Sequence, residues 1–84
     1  MYYLYILKSA KDGNLYTGST NDLRRRLSEH NNGVVKSTAH RRPLKLCYYE
    51  AYTDESEARK RECSLKKDGR ALIVLKQRIN KSLQ

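Results

Sequence analysis

The chain has 84 residues, room for one domain with a thin core. Eighteen Lys and Arg face nine Asp and Glu, giving a net charge of +9 and a pI near 9.8, an excess that favours a polyanionic partner because each neutralised phosphate releases counterions. Two cysteines, Cys47 and Cys63, are too few for a disulfide framework and too far apart for a zinc site; no apolar run nears the ~20 residues of a membrane span, and MYYLYILKS lacks a signal peptide's basic start and cleavage site, so composition excludes those classes and points to a cytoplasmic protein.

Residues 2–8, YYLYILK, are aromatic, branched or leucine-rich and predict a strand. SAKDGN follows, with Asp12-Gly13 as a hairpin signal. Residues 15–18, LYTG, then return as a second, antiparallel strand, which Gly18 is expected to end where the backbone bends. Ser19 or Thr20 caps the first helix, and Asp22 sits in its first turn, where the dipole favours negative charge. That helix runs to about Asn32, with Gly33 as its C′ residue. Leu23 and Leu27 form its buried stripe, while Arg24, Arg25 and Glu29 point away. Residues 34–43 read as an exposed basic loop holding Lys36, His40, Arg41 and Arg42 and stopped by Pro43. Residues 44–52, LKLCYYEAY, predict a third strand. Thr53 or Asp54 caps a second helix, with Glu57 placed for a capping box, and Asp68-Gly69 breaks it after Lys67. Residues 70–82 form the last helix, with Leu72, Leu75 and Ile79 on one face. The order β-β-α-β-α-α describes an α+β fold, a small antiparallel three-stranded sheet packed by helices.

Three groups of residues could carry chemistry. Arg26 and His30 lie one turn apart at the edge of the Leu23/Leu27 stripe, neither in the core nor fully in solvent; a solvated cation and a helix C-terminal histidine are the plainer reading. Glu62 follows Ala58 by four residues and precedes Leu65 by three, which puts a carboxylate on an apolar face, where it needs a cation or a metal as partner. Arg59, Lys60, Arg61, Lys66 and Lys67 make the rest of that helix basic, an arrangement that suits a single-metal phosphodiesterase site or a salt bridge. All aromatic residues are tyrosines, seven in number, and Tyr5 and Tyr16 lie on strands joined by the hairpin, so they can approach one another. A phenol titrates near pH 10 and acts as a base only where cations favour phenolate.

Tyr3-Leu4-Tyr5, Tyr16-Thr17-Gly18, the following STNDLRRRLSEH and the later EARKRECSLKK together resemble the GIY-YIG nuclease domain, in particular its small stand-alone bacterial members, over about residues 2–68. The resemblance implies paired active-site tyrosines at Tyr5 and Tyr16, one of which helps deprotonate water. It implies that Arg26 stabilises the transition-state phosphate, that His30 transfers a proton or holds a tyrosine, and that Glu62 binds one divalent cation, Mg²⁺. Gly18 would let the backbone turn close to the site, and Arg25, Lys36, Arg41, Arg42 and Lys66 would contact nucleic acid. Tyr3 and Leu4 stand where the motif has Gly and Ile, and no asparagine follows the glutamate helix at the family's place. The resemblance thus implies a metal-dependent endonuclease on DNA, with RNA as an alternative substrate, working alone on branched or single-stranded forms or with a protein partner that supplies specificity. The +9 charge and the missing asparagine support another reading, a module of the same fold that holds nucleic acid without cutting it.

Overall fold

A computed structural model describes residues 1–84. Three strands, β1 (Tyr2–Ser9), β2 (Leu15–Thr20) and β3 (Leu44–Tyr52), form one antiparallel sheet in the order β2-β1-β3. Three helices, α1 (Leu23–Asn31), α2 (Glu55–Lys67) and α3 (Gly69–Arg78), pack on it, and short 3₁₀ turns occupy Ala39–Arg41 and Asn80–Leu83. This is the expected α+β fold with the expected element order.

The continuous apolar run of β1 follows from its place in the centre. Leu4, Tyr5, Ile6 and Leu7 are all buried because helices cover both faces. Leu4 and Ile6 point to one side and meet Leu65 of α2, Leu75 of α3 and Ile79. Tyr5 and Leu7 point to the other and meet Leu44 and Leu46 of β3, Tyr16 of β2, and Leu23 and Leu27 of α1. Each large side chain sealed in this way contributes about 1.5–3 kcal/mol. The far end of α1 is pinned to β3 by a reciprocal pair, Asn31 Nδ2 donating to the Leu44 carbonyl at 2.9 Å and the Leu44 amide donating to Asn31 Oδ1 at 2.8 Å.

Several boundaries differ from those the sequence predicts. β2 does not stop at Gly18: Ser19 and Thr20 stay in the ladder opposite Leu4 and Tyr3. The helix cap therefore falls to Asp22, whose carboxylate accepts the Arg25 amide at 3.0 Å, because the backbones of Ser19 and Thr20 are still paired with β1. Gly18 makes no turn and has an ordinary strand conformation within β2. In α2, Asp54 is the cap, accepting both the amide and the hydroxyl of Ser56, which leaves Glu57 without the expected capping-box role. Asp68 ends α2 and caps α3 in turn, accepting the Arg70 amide. The last helix stops at Arg78 rather than continuing to residue 82, and the tail is held instead by Lys8 Nζ, which donates to the Leu83 carbonyl at 2.6 Å.

The segment over residues 34–43 is less open than expected. Thr38 is fully buried, and Arg41 keeps only 15% of its side chain exposed while bonding Asp12 and the Leu15 carbonyl. A second ion pair lies under α2. Glu50 of β3 accepts from Arg61 at 3.0 Å and from the hydroxyls of Tyr48 and Tyr52. Tyr52 is pushed up to about 12, by burial first and then by Glu50. The carboxylate–arginine bridge that Glu62 could have formed is thus made, half-buried, by Glu50.

Candidate active site

Tyr5 stands at the middle of β1 directly opposite Gly18. Its ring lies over that glycine: a Cβ there would sit 2.5 Å from the Tyr5 hydroxyl oxygen and 3.1 Å from Cε2 of Tyr16. Tyr16 is two residues earlier on β2, so it shares the face, and the two ring centroids are 6.4 Å apart. The last turn of α1 brings in His30, whose Nε2 is 2.8 Å from the Tyr5 hydroxyl and whose ring is 5.1 Å from that of Tyr16. The other ring nitrogen, Nδ1, meets the Thr38 hydroxyl at 2.7 Å.

His30 is completely buried, whereas its helical position predicts an edge residue; the closing segment around Thr38 covers it. Burial, and then the Arg26 charge, lower its pKa below the usual imidazole range, so it is neutral at neutral pH. Thr38 has a carbonyl to donate to, that of Val35 at 3.4 Å. That assigns a proton to Nδ1, which donates to Thr38, and leaves Nε2 to accept from Tyr5. Burial pushes Tyr5 up to about 12; the adjacent Arg26 guanidinium draws it down in part, while Tyr16 and Glu62 act with burial. Tyr5 is therefore a protonated phenol held in one orientation by a neutral histidine.

The unfolded chain protonates His30 near pH 6.5, while the folded chain resists protonation to lower pH. The contribution of His30 to stability is full above about pH 6.5 and is lost as pH falls through its folded value. Melting temperature measured from pH 7.5 to 4.5 should fall below about pH 6.5, and His30→Gln should remove that part of the slope.

Three charged groups complete the cluster. Arg26 of α1 lies beside Tyr5, with 34% of its side chain exposed and one nitrogen 3.1 Å from Glu29. Glu62 of α2 comes around the β2 edge. One of its oxygens accepts from Ser19 at 2.7 Å, the other from Lys66 at 2.7 Å, and 22% of its side chain is exposed. Lys66 also stands 5.7 Å from the Tyr16 ring centroid. Tyr5, Tyr16, Arg26, His30, Glu62, Gly18 and Lys66 therefore meet along the β2 edge. Arg25 is one residue away and exposed, bonded to Asn21 at 3.1 Å. Lys36 is exposed on the segment that follows α1, Arg42 bonds the Ala39 carbonyl, and Arg41 is tied to the hairpin; these three stand apart from the cluster.

Ser19 and Thr38 are members that the sequence did not single out. Ser19 alternates with Gly18 along the strand and so emerges on the α2 side, a signal available once β2 is extended. Thr38 lies eight residues beyond His30, and nothing in its neighbours marks it. No three or more His, Cys, Asp or Glu side chains gather in a way that could cage a metal. Glu62 with the Ser19 hydroxyl is a one-carboxylate donor set, which fits Mg²⁺ because that ion keeps most of its waters and takes phosphate oxygens as further ligands.

Comparison with known proteins decides the family. The profile of the GIY-YIG catalytic domain matches residues 1–81. The chain belongs to the GIY-YIG family. A UPF0213 protein of Clostridium perfringens is 50% identical over 68 residues, covering 80% of this chain and 72% of that one. Another from Streptococcus agalactiae is 43% identical over 81 residues, covering 93% and 91%. The solution NMR structure of a UPF0213 protein from Bacillus halodurans superposes with a TM-score of 0.51 at 36% identity, over 90% of this chain and 86% of that one. The GIY-YIG assignment makes this a nuclease-type domain with a nucleic-acid substrate class. No helix is long and apolar enough to cross a membrane.

Proposed function

We propose that this GIY-YIG chain is a Mg²⁺-dependent endonuclease that hydrolyses phosphodiester bonds of DNA in one step, without strong sequence preference. The reading rests on one observation: a phenol–imidazole pair, a second phenol, a guanidinium and a carboxylate, drawn from β1, β2, α1 and α2, converge on one partly open edge. Glu62 would hold the metal, which supplies charge neutralisation at the phosphate.

The chain's own residues divide the remaining work by their access. Tyr5 is 2% exposed and its hydroxyl is engaged with His30. Tyr16 is half-buried, and its hydroxyl has no partner within the chain. Tyr16 is thus the group that can reach a water, with the Lys66 ammonium 5.7 Å from its ring centroid. Tyr5 keeps its proton, which it donates to His30, so its oxygen can position the attacking water only by accepting a hydrogen bond from it. Arg26 faces the charge that grows on the non-bridging oxygens. No covalent intermediate is formed; water attacks in line and the leaving oxygen takes a proton from solvent.

One contact favours the second reading, a module that binds without cutting. Lys66 already neutralises Glu62, and a metal ion must displace it to bind there. Purified protein incubated with supercoiled, single-stranded and branched DNA, with and without Mg²⁺, separates the two. Nicking that requires Mg²⁺ and disappears in Glu62→Gln supports hydrolysis. Salt-sensitive binding with no product, and with affinity unchanged by Glu62→Gln, establishes the binding module instead.

A further inference from the structure

A cavity of about 260 Å³ opens where β2 ends and α1 and α2 begin, lined by Tyr2, Ser19, Asn21, Arg25, Arg26 and Arg59 among others. It shares two residues with the catalytic cluster. Ser19 is the residue that fixes Glu62, and Arg26 is the one beside Tyr5. Whatever fills this cavity therefore touches the group next to the scissile phosphate.

Its chemistry is specific. Three guanidinium groups face one lining carboxylate, that of Glu55. The internal partners of these cations are weak ones. Arg59 is 70% exposed and bonds Glu55 at 3.2 Å across a surface turn. Arg25 has only the neutral Asn21 amide, at 3.1 Å. Surface pairs of this kind contribute little to stability and exchange readily for a better anion, and guanidinium forks match phosphate oxygens two at a time. Tyr2 adds an aromatic wall, and apart from Ala58 the rest of the lining is polar. A phosphate with a sugar or base against one ring matches both features.

We infer that this cavity is a subsite for the nucleotide adjoining the scissile bond, gripped at its phosphate by Arg25 and Arg59 with Tyr2 against its sugar or base. The inference extends the nuclease reading, since the cavity matters to catalysis only if Arg26 and Glu62 act on a phosphate.

The test uses thymidine 3′,5′-bisphosphate as probe, titrated calorimetrically into the whole protein without metal. The probe is expected to bind, with Kd raised about 10-fold by Arg59→Ala and by Arg25→Ala, as expected for loss of a charge-assisted phosphate contact. Tyr2→Ala should weaken binding too, whereas Lys76→Ala on the exposed surface of α3 should leave it unchanged. Equal Kd values for wild type, Arg59→Ala and Arg25→Ala overturn the subsite, as does an equal loss in Lys76→Ala, which marks diffuse charge attraction. The two readings can fail separately. Arginine-dependent probe binding without any DNA cleavage keeps the subsite and removes the nuclease. Mg²⁺-dependent cleavage with arginine-independent probe binding does the reverse.

Discussion

Arg26→Ala is expected to reduce the rate of DNA hydrolysis by about 10²- to 10³-fold, the scale of losing one preorganised donor to a transition-state oxyanion. α1 leaves the end of β2 after the Asp22 cap, and its fourth residue faces the ring of Tyr5 rather than open solvent. The guanidinium is bonded to Glu29 at 3.1 Å and stands beside Tyr5. It need not reorganise when charge develops on the phosphate. Because that charge is larger in the transition state than in the bound substrate, kcat should fall far more than KM rises. Arg26→Lys should recover only part of the rate, since an ammonium cannot present two parallel donors to two oxygens. The melting temperature should scarcely change, because the ion pair that is lost, Arg26 with Glu29, is a surface i,i+3 contact. Steady-state kinetics on single-stranded DNA, with Arg24→Ala as an exposed control on the same helix, check all of this. Rates within threefold of wild type in Arg26→Ala would remove the guanidinium from the mechanism and with it the reading of the whole edge as a phosphate site.

Much of this edge was legible before any coordinates, and for physical reasons. The strands and helices announce themselves through apolar period and through Gly and Asp at their ends. Leu23 and Leu27 fix which way α1 faces, so Arg26 and His30 follow. The spacing from Ala58 to Leu65 likewise turns Glu62 toward the sheet. What sequence could not give were contacts made by closure. His30 reads as an edge residue because a helical wheel knows nothing of the segment that folds back over it; Thr38 closes that lid and buries the imidazole completely. Arg41 reads as a phosphate contact because its charge is visible and its partner Asp12, in the hairpin, is not. Glu50 sits among tyrosines in an alternating strand, and only the docking of α2 brings Arg61 to it. Ser19 reads as a helix cap, a sound local preference overridden by the pairing of Ser19 and Thr20 with β1.

Gly18 shows the same limit most sharply, and its replacement carries the largest expected structural effect. Read locally, a glycine after Tyr16-Thr17 marks a bend. In the fold its φ is unexceptional, and the residue is a glycine because the Tyr5 ring occupies the place of its side chain. In Gly18→Ala the new methyl would lie 2.5 Å from the Tyr5 hydroxyl oxygen and 2.6 Å from Cζ. Tyr5 cannot yield easily. It is 2% exposed, belongs to the cluster with Leu7 and Leu44, and is bonded to His30. Relief of glycine's backbone entropy works the other way, by about 0.5–1 kcal/mol, but overpacking at such a site costs about 1–3 kcal/mol. The net loss should appear as a melting temperature lower by several degrees, given about 4–8 °C per kcal/mol for a domain of this size. Activity should fall further than stability accounts for, because any displacement of the phenol breaks the 2.8 Å bond to His30 and moves Tyr5 away from Arg26. Gly18→Ala combined with Tyr5→Phe should be less destabilised than the sum of the two single changes, since removing the hydroxyl relieves the nearest contact. A strictly additive cycle, or an alanine variant that melts and cleaves like wild type, would mean that the ring does not lie across β2, and the geometry that gathers the site would have to be redrawn.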